Sequence, residues 1–257
     1  MKLLLTNDDG VKAAGILALV EILASKHEVY VVAPNRERSS TSHSITVFEP
    51  IKVKEVVLPS VVSAWAVTGT PVDCVKLGLE ELVGPDIDYV ISGINHGPNL
   101  GTDVFYSGTV SAAAESVLSG CPALAVSLNN FSPAVTDFGF SANFILNFLN
   151  NLGPQGLEKH TLLNINIPMT EENACQGIMV TKLGVRKYIN PFEARKDPRG
   201  QTYYWLGGRP SDEPQEANSD IYAIKSNHIS ISPLKMDMTD YQLMEHYRNL
   251  FSKPQQT

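Results

Sequence analysis

Short apolar runs alternate with amphipathic segments along the first half of the chain. Lys2–Thr6 is apolar but too short for a helix, and it breaks at the polar turn Asn7-Asp8-Asp9-Gly10. After Gly15, the residues Ile16, Leu19, Val20 and Leu23 follow i, i+3, i+4, i+7, which predicts a helix to about Ser25. Val29–Ala33 is a β-branched run stopped by Pro34, and the stretch from Asn35 to Ser44 is polar, serine-rich and aperiodic. Tyr89–Ile91 predicts a buried strand, ended by Ser92-Gly93 and followed by a Gly- and Asn-rich loop to Gly101. Val110–Leu118 reads as an alanine-rich helix, and Ala123–Leu128 as a strand after Pro122.

Strands of continuous rather than alternating apolar character, separated by helices, indicate a parallel sheet covered on both faces. The expected fold is therefore a three-layer α/β/α, Rossmann-like domain with a mostly parallel sheet. The second half is looser. Phe144–Leu149 predicts a helix, Thr161–Ile167 a strand with Asn164 and Asn166 among apolar neighbours, Ile229–Leu234 a strand, and Tyr241–Phe251 a terminal amphipathic helix. Residues 184–216 carry Gly, Pro and the aromatic run Tyr203, Tyr204, Trp205, as a hairpin or arm would. Residues 1–183 are thus read as the catalytic core and 184–257 as a hairpin, strand and helix of the same domain. An arm that cannot bury its own aromatics commonly lies on another subunit, which predicts a homo-oligomer.

Composition narrows the class. Of the 257 residues 43% are apolar and 18% charged, with 18 Gly and 16 Pro, an ordinary globular balance. Met1-Lys2-Leu3-Leu4-Leu5 starts like a signal peptide, but Asp8 and Asp9 end its apolar run, and no stretch is long enough for a membrane span. Cys74, Cys121 and Cys175 are scattered, with neither a disulfide framework nor CxxC spacing, so the expected setting is the reducing cytoplasm. Residues 1–179 hold 9 basic against 18 acidic side chains, which argues against a nucleic-acid polymer as partner. The basic segment Lys182–Arg199 reads either as a solvated surface or as an anion or subunit contact.

In open α/β sheets ligands bind beyond the carboxyl ends of the strands. Three polar loops leave strand ends here: Asn7–Gly10, Asn35–Ser44 and Gly93–Gly101. Adjacent carboxylates, Asp8 and Asp9, repel one another unless a cation sits between them. The other polar groups (Ser39, Ser40, Asn95, Asn99) are hydroxyls and amides, a hard-oxygen set suited to Mg²⁺, Mn²⁺ or Ca²⁺. The plainer reading makes Asp8 and Asp9 caps of the helix beginning near Lys12. Tyr106-Ser107-Gly108-Thr109 precedes the alanine-rich helix, where free amides form a phosphate cradle or Ser107 and Thr109 serve as ordinary caps. A metal loop beside a phosphate cradle suggests phosphate-ester hydrolysis. His43 and His96 read as hydrogen-bonding surface residues and Glu115 as structural. There is no GxGxxG, GxxxxGK[ST] or HExxH string.

These strings resemble the SurE family of survival-protein nucleotidases. The resemblance is carried by Leu4-Leu5-Thr6-Asn7-Asp8-Asp9-Gly10, Ala33-Pro34 with the serine-rich loop to Ser44-Ile45-Thr46, and Gly69-Thr70-Pro71-Val72-Asp73-Cys74-Val75. It continues through Ser92-Gly93-Ile94-Asn95-His96-Gly97-Pro98-Asn99-Leu100-Gly101 and Tyr106-Ser107-Gly108-Thr109-Val110. Asp197-Pro198-Arg199-Gly200, Tyr203-Tyr204-Trp205-Leu206-Gly207-Gly208 and Ile229-Ser230-Ile231-Ser232-Pro233-Leu234 complete it.

The resemblance implies one divalent ion (Mg²⁺ or Mn²⁺) per subunit, held by Asp8, Asp9, Ser39 and Asn95, with Asp8 and Asp9 also catalytic. It implies phosphate contacts at Asn99, Ser107, Gly108 and Thr109, and hydrolysis of nucleoside 5′- and 3′-monophosphates, with polyphosphate as a further substrate of some members. It also implies a dimer or tetramer built through the hairpin and C-terminal segment. Two positions depart from the family pattern: Ser40 stands where glycine is usual, and Glu115-Ser116 where Glu-Gly is usual. Two other classes compete: a signalling receiver domain, which would need an acceptor Asp after the third strand and a Lys-Pro near the fifth where this chain has only Lys253-Pro254, and a non-catalytic nucleotide-binding module, which would bind metal and nucleotide without turnover.

Overall fold

The computed structural model describes residues 1–251 except 131, 133, 135, 136, 154, 155 and 212. Its frame is one sheet with strand order β3-β4-β2-β1-β5-β6-β7-β13-β8. The parallel centre comprises β4 (Ser63–Val67), β2 (Glu28–Pro34), β1 (Lys2–Thr6), β5 (Tyr89–His96), β6 (Ala123–Asn129) and β7 (Leu162–Pro168). β3 (Val53–Glu55) runs antiparallel to β4 at one edge, and β13 (Ile229–Leu234) antiparallel to β7 near the other. The short β8 (Ile178–Val180) closes that edge, parallel to β13.

Period-two geometry explains the continuous apolar strands. In β1, Leu3 and Leu5 enter one core while Leu4 enters the other, all three fully buried. The first core is roofed by α1 (Ala14–Leu23) and α4 (Gly139–Asn151), the second by α2 (Pro71–Leu77) and α3 (Gly108–Leu118). Helices on both faces of a largely parallel sheet make the expected three layers. Each of these leucines is worth roughly 1.5–3 kcal/mol on burial, so the strand that carries the acidic turn is also among the most firmly anchored.

Several elements run beyond their expected limits. β5 continues through Ser92-Gly93 to His96, so the first part of the segment expected as loop is strand. Gly93 makes this possible: at φ +141° the strand bulges, its pairing with β6 shifts between Ser92 and Asn95, and a Cβ there would lie 2.3 Å from the Val126 carbonyl oxygen. α4 is longer than Phe144–Leu149, and β3, β4, α2 and α5 (Asp220–Lys225) were not expected at all.

Residues 184–216 form two small ladders, β9 (Tyr188–Ile189) with β12 (Arg209–Pro210) and β10 (Phe192–Lys196) with β11 (Thr202–Leu206). Their rings are exposed, as are the apolar side chains of α6 (Tyr241–Phe251). The basic segment is largely spent on pairs: Lys182 with Glu216, Arg186 with Asp103, Lys187 with Glu213 and Arg195 with Glu193. The buried Asp220 ties the arm to the body by accepting the backbone N–H groups of Gly101, Gly184 and Ile221 at 2.7–2.8 Å. Among the described residues no helix is long and apolar enough to cross a membrane.

Candidate active site

The chain leaves β1 toward β2 on one side and later returns as β5 on the other, so the sheet reverses direction at β1. The carboxyl ends of β1, β2 and β5 therefore meet at this switch point. Asn7 shapes the turn after β1. Its side-chain amide donates to the Gly10 carbonyl at 2.9 Å and its oxygen accepts the Gly10 N–H at 3.1 Å. Gly10 sits at φ +106°, packed on the Arg36 backbone, and the turn is pinned to β2 by the Val11 N–H on the Pro34 carbonyl. The result is a short, rigid projection bearing Asp8 and Asp9.

Asp8 points inward, 4% exposed, and accepts the Thr109 hydroxyl at 2.6 Å. Burial pushes its carboxyl up from 3.8 to about 7; the Thr109 hydroxyl pulls down, and the neighbouring Asp9 charge pushes further up. Asp9 is half-buried and accepts the His96 backbone N–H at 3.2 Å. Burial raises it as well, partly offset by that N–H, with the Glu37 charge adding to the rise. Neither aspartate caps α1, whose N-cap is Ala13 with no side-chain bond. The capping alternative for the acidic pair is excluded.

Gly108 and Thr109 form the first turn of α3, whose N-cap is Ser107, its oxygen accepting the Val110 N–H at 3.0 Å. Ser107 is thus an ordinary cap by geometry, while the first-turn amides beside it have no carbonyl within the helix to reach. A Cβ on Gly108 would stand 2.9 Å from Asp8 Cβ and 3.0 Å from Oδ2, so only glycine lets the helix end approach the carboxylate this closely.

Asn95 lies near the end of β5, its amide nitrogen donating to the Gly97 carbonyl at 2.7 Å, which orients the side chain and leaves its oxygen as the remaining donor atom. Asn99 is held among β6 and β7. Its backbone N–H goes to Asn166 Oδ1, its carbonyl accepts both Asn164 and Asn166 amides, and its own amide donates to Ser127 Oγ at 2.8 Å. Ser39 stands apart: it is exposed and its hydroxyl donates to Glu37 at 2.8 Å.

The structure thus brings Asp8, Gly108 and Thr109 into contact, sets Asp9 against the β5 backbone beside Asn95, and leaves Ser39 and Asn99 with other partners. The expected histidine and glutamate behaviour is seen as well. His43 pairs with Glu115 at 2.8 Å, and His96 Nε2 lies 2.9 Å from the Ser132 carbonyl oxygen. Ser127, Asn164 and Asn166 were not expected at the site, although two asparagines two residues apart on an apolar strand share one face and announce a common partner.

No group of three His, Cys, Asp or Glu gathers among the described residues. The buried Asp8, the half-buried Asp9 and the Asn95 amide oxygen are hard-oxygen donors of the kind that suits Mg²⁺ or Mn²⁺. Burial leaves the Asp8 carboxyl costly to ionise, a cost that a neighbouring cation would lower. A separate cavity of about 760 Å³ lies at the amino ends of β5 and β6, lined by Lys76, Glu80, Asp88, Cys121 and Lys159, remote from this turn.

The profile of the Survival protein SurE family matches residues 3–190. The chain belongs to the SurE family. It is 57% identical over 253 residues to the 5′-nucleotidase SurE of Syntrophomonas wolfei, covering 98% of this chain and 96% of that one. It is 50% identical over 252 residues to the 5′-nucleotidase SurE of Pelotomaculum thermopropionicum, covering 97% and 95%. The crystal structure of the SurE protein from Aquifex aeolicus superposes with a TM-score of 0.83 at 36% identity, over 98% of this chain and all of that one. Ser40, where the resemblance leads one to expect glycine, adopts φ +58°, the left-handed conformation that glycine enters freely. Ser116, the second such position, is fully buried and donates to the Cys121 carbonyl, so its hydroxyl has a partner.

Proposed function

We propose that this SurE-family chain is a divalent-metal-dependent 5′-nucleotidase, hydrolysing nucleoside 5′- and 3′-monophosphates to nucleoside and phosphate. The observation that carries the reading is the Asp8–Thr109 bond, which joins an acidic turn to a helix N-terminus at the switch point of the sheet. The full-length relatedness to proteins named 5′-nucleotidase supports the substrate class.

Asp8, Asp9 and the Asn95 oxygen would hold the ion, and Ser39 would join them by giving up its bond to Glu37. When bound, Mg²⁺ or Mn²⁺ supplies Lewis acidity toward a phosphoryl oxygen and lowers the pKa of water. Asp8, fixed by Thr109, orients the turn. Asp9, the more accessible carboxylate, takes the proton of the attacking water. The first-turn amides of Gly108 and Thr109, with the Ser107 hydroxyl and Asn99, stabilise charge on the equatorial oxygens. Asn99 reaches substrate by exchanging its Ser127 partner.

The exposed rings of β10, β11 and α6 support a homodimer or homotetramer built through the arm. Three cysteines without disulfide spacing support a reducing, cytoplasmic setting.

The test is phosphate release from a panel of 5′- and 3′-nucleoside monophosphates and short polyphosphate, with Mn²⁺, Mg²⁺ or EDTA. Release that requires metal and is lost in Asp8→Asn establishes the reaction, and the ranking defines the substrate. A folded protein with no turnover under either metal would instead be a binding module.

A further inference from the structure

The polar segment from Asn35 to Ser44, which carries Ser39, is held partly by its own Thr41 hydroxyl, which donates to the Arg38 carbonyl at 3.0 Å, and partly from outside, at its end by the Thr70 hydroxyl on the Ser44 carbonyl at 2.7 Å. Ser40 and Ser42 both occupy left-handed backbone, at φ +58° and +51°. Each costs an L-residue roughly 1 kcal/mol, and such conformations persist only where the surroundings impose them. Upstream of Ser39 the constraint is the turn itself, through the Arg38 N–H on the Asp8 carbonyl at 2.7 Å. Downstream, the Ser42 N–H reaches the Tyr106 carbonyl at 3.2 Å, and His43 Nε2 meets Glu115 Oε2 at 2.8 Å.

Among the described residues, the His43 bond is the one side-chain hydrogen bond between this segment and α3. Glu115 is well placed for it. Its side chain is 10% exposed, and its second oxygen accepts Lys76 Nζ at 3.0 Å, so the carboxylate is neutralised and fixed from the other side. Gly108 and Glu115 are seven residues apart, two turns along one face of α3. One helix face thus touches Asp8 at its first turn and grips the Ser39 segment at its last.

We infer that His43 and Glu115 are a positioning pair: by clamping the segment to α3 they restrict where Ser39, next to the Arg38 that bonds the Asp8 carbonyl, can lie, and so determine divalent-cation affinity. Neither residue touches the aspartates or the first-turn amides, so neither is a catalytic residue. The inference rests on the cation reading given above.

It is tested by calorimetric titration of the full-length, metal-free protein with Mn²⁺ alone. His43→Leu removes the bond at a half-exposed position and is expected to raise the Mn²⁺ Kd about 10-fold, the usual scale for a group that orients a ligand from behind. His43→Gln keeps an N–H able to reach Glu115 and is expected to bind within about 3-fold of the parent. At saturating Mn²⁺ the His43→Leu enzyme should recover its kcat.

A purely structural role would lower the melting temperature of His43→Leu and leave the Kd where it was. That result overturns the inference, as does a His43→Gln protein that binds as weakly as His43→Leu. Asp8→Asn in the same titration separates the two readings. If it binds Mn²⁺ like the parent, the cation site itself falls and the positioning pair with it. If it loses Mn²⁺ while His43→Leu does not, the positioning pair alone is wrong.

Discussion

Thr109 gives its hydroxyl hydrogen to Asp8 from 101 residues away in sequence, at 2.6 Å, with both side chains withdrawn from solvent. Above about pH 7, where the Asp8 carboxyl is ionised, a hydrogen bond to it is worth about 1.5–3 kcal/mol, and its loss leaves the acceptor short of a partner. Thr109→Val keeps the shape and deletes the bond. Urea denaturation of the metal-free protein should show a loss in that range, and phosphate release should fall at least roughly 10-fold. An unchanged turnover number would remove Thr109 from the site.

The raised Asp8 carboxyl makes a prediction about pH. Between 3.8 and about 7 the unfolded chain has released this proton while the folded protein keeps it. The folded state binds more protons there, so metal-free stability should fall as pH rises through that window and level off above it. In EDTA the melting temperature of the parent should decline more steeply across the window than that of Asp8→Asn. Mn²⁺ at neutral pH should reverse the decline by binding the folded state. Parallel slopes for the two proteins would assign the effect elsewhere.

Gly108→Ala separates helix stability from site geometry. Alanine is the better helix former by about 0.8–1 kcal/mol in a helix interior and by less at this first position, and its Cβ would sit 2.9 Å from Asp8 Cβ. The folded protein should survive with a similar melting temperature while phosphate release drops on the order of 100-fold, because the Asp8 side chain must shift. Full activity in this variant would show that the turn and α3 need not touch.

Ser40→Gly should stabilise the protein by about 0.5–1 kcal/mol, since glycine enters the observed φ of +58° without steric cost. The midpoint of urea unfolding reads this directly. A lower midpoint would mean that the serine side chain contributes more than the backbone conformation costs.

Much of the frame could be read in the sequence because parallel strands buried on both faces leave unbroken apolar runs, as Leu3–Leu5 and Ala123–Leu128 do. β4 escaped notice since Trp65 and Ala66 are only half-buried, near the sheet edge. α2 escaped for lack of length, although its start is written plainly in Thr70-Pro71-Val72-Asp73, where Thr70 and Asp73 cap each other reciprocally. Gly93 read as a terminator; only the approach of Val126 from the next strand reveals it as a bulge.

At the site, the acidic pair and the Ser107–Thr109 turn were legible from residue type and spacing. The partners of Asn99 and of His43 were not, because they come from β6, β7 and α3, brought near by topology alone. Ser39 shows the reverse case: the resemblance names it as a ligand, while its hydroxyl here rests on Glu37.

The placement of β13 has a consequence for how the protein is made. Its strand lies between β7 and β8, so β7 gains its second neighbour only when the stretch ending at Leu234 has been synthesised. At roughly 5–20 residues per second, the ribosome needs about 3–13 seconds to travel from the end of β7 to that point. During those seconds the nascent chain displays a bare strand edge, a template for pairing with other chains. A message truncated before β13 would therefore yield aggregating polypeptide rather than a smaller working enzyme, even though both aspartates and α3 had long since been translated.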